Sequence, residues 1–427
     1  TSMPDGDTKN IAEPNQGFSW PQWKVNVDEI DFRNQQIEFY RNGKRPIKGV
    51  FSAEALSFED FNFKLNNLKL SKDENLGFDL NELQFREGSG IVLKEFQVQT
   101  RLASDETTLN NLSLRLNNSS LFADLNLDYA TLDNLINSPL NSTLDIDVSS
   151  LEVNIKDAYP FSSELKKNEQ VKNLTEHNFE GNFEAKGDLE KLTFSKFNLN
   201  WGKNTRLQLK GSLSQFTDVD KFGFDFSNLN AKSIKKDLSK FVSEKDLGIS
   251  FPESVTLTGN FKKAGADFST KSQLKSPMGI IQIEGYFNST NAIDYKVGFD
   301  VKSLNLGKLL ENEQLGELSM QLNSKGKGNS VYELTAELSS KIDSIRWNAY
   351  TFSKMEIKGN LKDGEGDVKF DYSDENLQFD VVSSIELDSV SPKVDLELNL
   401  DGIRTQELGL TSKDLRAKIL AKVQFEG

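Results

Sequence analysis

Few residues in this chain are of a kind that does chemistry. It has no cysteine and a single histidine, His177. Without a thiolate or a second imidazole, His177 has no partners for a metal cluster or a nucleophile–base relay. It reads as an exposed residue at a strand start. Asp145 and Asp147 are two residues apart, so on a strand they project from one face, the arrangement that acid–base work on a glycan needs. A solvated strand face explains the same pair with fewer assumptions. Neither a glycine-rich phosphate loop nor a nucleophile elbow occurs. Asn-x-Ser/Thr triplets such as Asn141-Ser142-Thr143 are expected by chance in a chain rich in Asn and Ser. The expectation is no enzyme, no cofactor and no metal.

Charge narrows the partners. The 427 residues carry 51 basic and 65 acidic side chains, a formal net charge of -14. Affinity for a phosphate backbone comes from Lys and Arg, so nucleic acid is not an expected partner. The acids are dispersed and form no tail. The lack of cysteine removes disulfides but leaves the compartment open. No apolar run approaches the roughly 20 residues of a membrane span, and no secretory signal precedes the first strand pattern. The chain opens on polar residues 1–16 and stops within a strand pattern at 423–427. We read it as a piece of a longer protein whose anchor lies elsewhere.

What is left to carry function is apolar patterning. Only 36% of residues are hydrophobic, but they are large: 30 Phe against 9 Pro and 4 Met. A motif of apolar, any residue, Gly, any residue, apolar recurs at Phe179-x-Gly181-x-Phe183, Leu209-x-Gly211-x-Leu213, Leu257-x-Gly259-x-Phe261, Ile283-x-Gly285-x-Phe287 and Ile357-x-Gly359-x-Leu361. Strict alternation marks strands, whose successive side chains point to opposite faces. Similar alternation runs from Trp23-Val25-Val27 to Val394-Leu396-Leu398-Leu400. At Asn66-Asn67 the apolar parity switches, as a bulge or turn requires.

The pattern predicts an all-β-dominated fold: a long, curled antiparallel sheet, an open trough, with a few short amphipathic helices. Residues 1–22 form a polar leader expected to be disordered. Residues 23–427 form one continuous β-groove, with helical interruptions near 161–176, 231–247 and 303–315. The second interruption places Ile234, Leu238, Phe241 and Val242 at helical spacing and closes with Gly248 and Pro252. On most strands one face is apolar and the other wet, which a curled trough and a closed sandwich both satisfy. Each motif glycine shares the parity of its apolar neighbours, so it lies on the apolar face. There it permits bending and leaves space above the sheet.

Strands carrying these glycine motifs, separated by Leu-rich helical stretches such as Ser303-Leu304-Asn305-Leu306-Gly307-Lys308-Leu309-Leu310, resemble the AsmA-like envelope proteins. Within that group the chain is most similar to the repeat region of the TamB family, the translocation and assembly module subunit. The resemblance covers roughly residue 25 to the end. It implies a taco-shaped β-structure in the periplasm, anchored to the inner membrane through an N-terminal segment that this sequence lacks. It also implies an apolar groove that conducts or shields phospholipid acyl chains between inner and outer membrane, support for outer-membrane protein assembly, and an outer-membrane barrel of the TamA type as partner, engaged through other parts of the chain.

The site this points to is diffuse. Its expected lining is Phe61, Phe63, Phe183, Phe197, Leu199, Trp201, Leu207, Leu209, Phe261, Ile283, Phe287, Met320, Leu322, Ile357 and Phe379, with the strand glycines Gly181, Gly211, Gly259, Gly285 and Gly359. The competing expectation is a non-enzymatic scaffold or surface adhesin built of closed sandwiches, whose apolar faces are sealed.

Overall fold

The computed structural model describes residues 20–426 apart from 42, 73, 74, 217, 349, 389 and 390. Most of the expected polar leader therefore lies outside the described residues. Among the described residues the fold is all-β: 22 strands in an antiparallel sheet that does not close into a barrel, with a few short helices. In chain order the first elements are β1 (Val25–Tyr40), β2 (Ala55–Ser71), β3 (Asn75–Glu87), β4 (Val92–Leu102), β5 (Glu106–Leu116), β6 (Ser119–Asp128), α1 (Leu132–Asn137), β7 (Thr143–Val153) and α2 (Glu169–Leu174). There follow β8 (Phe179–Gly187), β9 (Lys191–Trp201), β10 (Thr205–Ser214), β11 (Gly223–Ile234), α3 (Lys235–Leu238), α4 (Glu244–Leu247), β12 (Ser254–Ala264), β13 (Asp267–Ser276), β14 (Gly279–Asn288), β15 (Ile293–Asn305) and α5 (Leu306–Leu309). The last are β16 (Leu315–Gly328), β17 (Thr335–Trp347), β18 (Tyr350–Lys362), β19 (Glu365–Ser373), β20 (Leu377–Glu386), β21 (Lys393–Ile403) and β22 (Ile419–Glu426). No helix of the described residues is long and apolar enough to cross a membrane. The chain divides into two compact units, residues 1–117 with 121–146, and residues 118–120 with 147–427.

In the first unit, β1 to β5 form a meander in which each strand pairs antiparallel with the next. Parity switches are handled by left-handed residues inside the strands: Asn34, Asp60, Asn67 and Asn111, with φ between 51° and 55°. All are Asn or Asp, the side chains that tolerate this region best after glycine. The break anticipated at Asn66-Asn67 is a register shift between Asn66 and Lys69 against β3. Polar groups pin these bulges. The Asn34 N–H donates to Asn62 Oδ1 at 2.9 Å, and the Asn111 N–H to Asp124 Oδ1 at 2.7 Å. Each inserted residue returns the next apolar side chain to the face it would otherwise leave.

In the second unit, β8 to β22 form a longer meander, again strand by strand. The hairpin between β18 and β19 has Asp363 and Gly364 at φ 52° and 83°, the Asp-Gly chemistry of a two-residue turn. The interruptions are shorter than their spacing suggests. Ala231–Ile234 is the end of β11, because Ala231 is paired with Leu207 on one side and Leu257 on the other. Two paired neighbours satisfy its backbone better than an exposed helix could. Only α3 and α4 are helical there, the latter capped by Ser243 and ended by Gly248 at φ 66°. Within 161–176 only α2 is helical, and within 303–315 only α5. The helix α1, capped by Thr131, has no counterpart in the sequence reading.

The strand glycines correct a second expectation. Gly181, Gly211, Gly259 and Gly285 do not leave room above the sheet, because the backbone of the neighbouring strand fills the place of a side chain; at Gly359 the nearest atom is in the Val368 side chain. A Cβ on Gly259 would lie 2.5 Å from the Ser272 Cα, one on Gly211 2.7 Å from the Phe226 Cα, and one on Gly285 2.9 Å from the Val297 Cα. Gly211 and Gly259 also have φ of 142° and 148°, a conformation essentially reserved for glycine. These positions let adjacent backbones approach and the sheet bend. Gly259→Ala should therefore destabilise the second unit by at least about 2 kcal/mol. Gly402→Ala, where no atom lies within 4 Å of the added methyl group, should change stability by under about 0.5 kcal/mol. Denaturant midpoints of the two variants check this difference.

Candidate functional site

The site is a surface, and register defines it. Residues directly opposite in an antiparallel pair share a face. Followed across the second unit, from β8 to β22, one row reads Phe183, Phe197, Leu209, Leu229, Gly259, Ser272, Ile283, Phe299, Leu322, Ser340, Ile357, Phe370, Val381, Leu398 and Ala421. A flanking row runs Leu207, Ala231, Leu257, Leu274, Ile281, Val301, Met320 and Ile342. On the other side runs Gly211, Phe226, Phe261, Thr270, Gly285, Val297, Ser324, Leu338, Gly359 and Val368. None of these residues is charged.

Burial describes how this face is used. Trp201 and Leu209 are buried, Phe287 is 44% exposed, and the other expected lining residues are half-buried. Among the described residues no large side chain is less than 2% exposed. In a sandwich the central residues of both inner faces are sealed. Within this unit the closest backbone approaches of each strand are to its neighbours in chain order. The densest point is a cluster of Ala185, Phe194 and Leu209 with Phe183, Phe197 and Phe226 packed around it. Phe194 and Phe197 meet edge to face at 5.5 Å. Elsewhere small residues such as Ser272 and Ser340 are covered by taller neighbours in the same face.

Of the expected lining, all residues from Phe183 onward share this one face. Phe61 and Phe63 belong to the first unit, where Phe63 stands opposite Phe32 and Leu83, and Phe61 stacks on Phe85 at 6.4 Å. The expected lining omits Leu229, Phe299, Phe370, Val381, Leu398 and Ala421, apolar members of the same row. The alternation Tyr295-x-Val297-x-Phe299-x-Val301 carries the signal that would have found Phe299.

The opposite face is wet and cross-linked by exposed ion pairs: Lys262–Asp225 at 3.2 Å, Lys271–Glu284 at 3.0 Å and Lys325–Glu337 at 2.9 Å. Exposed pairs of this kind contribute little to stability. A cavity of about 1090 Å³ opens over Lys271, Glu284, Gly298 and Asn323. Most of its lining comes from the wet side, and Phe261, Gly285, Val297, Ser324 and Leu338 of the apolar rows also line it. A twisted sheet is saddle-shaped, and a side-chain-free position such as Gly298 deepens the saddle.

The residues singled out for chemistry stand apart from one another. His177 is half-buried, a correction to its expected exposure; its ring packs edge-on to Trp201 at 5.0 Å, in the space left by Gly202. Asp145 and Asp147 are exposed on β7. Among the described residues no group of three or more His, Cys, Asp or Glu could hold a metal.

One polar knot closes the end of β18 to β20. Tyr372, 5% exposed, donates to Asp374 Oδ2 at 2.6 Å, and Tyr350 donates to the same oxygen. The N–H groups of Asn376 and Leu377 donate to Asp374 Oδ1 at 2.8 and 2.7 Å. Burial raises the Asp374 carboxyl, but these hydrogen bonds outweigh it and hold the group below the usual carboxylate range. Burial and the bond to Asp374 push the Tyr372 phenol up. A depressed carboxyl adds stability above its unfolded pKa of about 3.9 and loses it as pH falls through the folded value. Asp374→Asn should therefore lower stability at pH 7 and show a smaller loss between pH 5 and pH 2 than the parent, as measured by denaturation at each pH.

No family model, curated protein or solved structure matches this chain.

Proposed function

We propose that the apolar face of β8–β22 holds and conducts lipid acyl chains, and that the chain is a segment of an AsmA-like, TamB-type protein carrying phospholipid across the periplasm between inner and outer membrane. The observation that supports this most is the uncharged, register-matched row from Phe183 to Ala421, most of it left half-buried. Contiguous apolar faces that stay partly accessible mark binding sites.

The physics of transport suits such a surface. Each methylene moved from water to the face gains about 0.8 kcal/mol. The gain has no direction, and neighbouring strands offer similar rows of Leu, Ile, Val and Phe. A chain can advance strand by strand without meeting one deep trap. No bond to the lipid has to form or break, and no catalytic group is needed.

Extraction of the purified protein with organic solvent should recover phospholipid. Leu338→Glu puts a charge on the apolar face and should reduce the recovered lipid by about tenfold. Ser339→Glu, its neighbour on the wet face, should leave it unchanged. Absence of lipid from the parent protein, or equal loss in both variants, would contradict the proposal.

A further inference from the structure

One charged residue stands on the apolar face. The row beyond Phe261 reads Leu213, Phe224, Lys263, Phe268, Phe287 and Tyr295. In this row and the three described above, Lys263 is the only charged side chain. It breaks the alternation Leu257-x-Gly259-x-Phe261 at the last position of β12 on this face, one residue before the strand ends at Ala264. Phe224 and Phe268 lie directly opposite it on the two neighbouring strands.

The surroundings of its ammonium group are unusual for a surface lysine. Nζ donates to the Phe222 carbonyl oxygen at 2.7 Å and lies 5.8 Å from the centre of the Phe222 ring. Among the described residues Lys263 has no carboxylate partner, unlike Lys262 beside it, which pairs with Asp225. An ammonium has three donors, so two remain for an acceptor. Phe268 and Phe287, 39% and 44% exposed, extend the apolar surface away from it. Aromatic surroundings displace water and strengthen a charge-assisted bond to an anion.

We propose that Lys263 is the headgroup contact of the apolar face, so that its ligand is an acyl chain with an anionic phosphate or carboxylate head. This rests on the acyl-chain reading of the face and adds polarity to it: the head sits at the rim by the β12–β13 turn, and the tail runs inward over Phe261 and Gly285. A bare hydrocarbon surface cannot distinguish lipids of equal chain length. A single cation at its rim can.

Calorimetric titration with three probes of one chain length, each below its micellar concentration, tests this: dodecyl phosphate, dodecanoate and the neutral dodecyl maltoside. The parent should bind dodecyl phosphate about tenfold more tightly than the maltoside. If dodecanoate matches the phosphate, the site takes any anionic head; if it matches the maltoside, the site takes phosphate. Lys263→Gln should abolish the preference and leave maltoside affinity unchanged, and Lys263→Arg should retain it, with unaltered circular dichroism in both. Equal affinities for all three probes in the parent, or a preference that survives Lys263→Gln, overturns the headgroup assignment and leaves the acyl face standing. Failure of every probe to bind the parent overturns both.

Discussion

Antiparallel pairing imposes one constraint on which everything else here depends: opposite residues share a face, and a slip of one residue moves a whole strand's apolar set to water. Across β8 to β22 that condition is met at every step, and the result is one wet face and one apolar face on which Lys263 is the charged exception. The devices that interrupt regular pairing serve the same end. Left-handed Asn and Asp residues reset parity in the first unit. Gly211 and Gly259 let neighbouring backbones close up where a side chain would collide.

Stability in such a sheet is local. Each strand touches its neighbours in the chain, much as repeats do in a solenoid, and cohesion comes from apolar pairs between adjacent strands. The wet face adds many exposed ion pairs of small individual worth. Under the proposed function the apolar face has two roles: it holds neighbouring strands together, and it is the surface a lipid would occupy. A bound acyl chain would complete the burial that the protein leaves at half, so ligand and fold are linked by mass action.

The alternation in the sequence was enough to read the strands, the division into wet and apolar faces, and the parity of the motif glycines, since period-two patterning is a direct consequence of strand geometry. The role of those glycines was not legible. Close backbone approach depends on where the neighbouring strand bends, which no local pattern encodes. Ala231–Ile234 reads as helix by spacing, yet pairing with Leu207 and Leu257 makes it strand. Tertiary partners override a weak periodicity. The setting of Lys263 was hidden for the same reason: Phe224 and Phe268 come to it from other strands. His177 found cover only because Gly202 lacks a side chain.

The central claim is that one face of this sheet, and only that face, carries acyl chains. A photo-crosslinking residue placed at Leu322 or at its neighbour Gln321 tests it most directly, because the two project from opposite faces of β16. With vesicles containing a labelled phospholipid, crosslinks to the acyl chain should form from position 322 and not from 321. Equal labelling at both positions, or none at 322, would contradict the account.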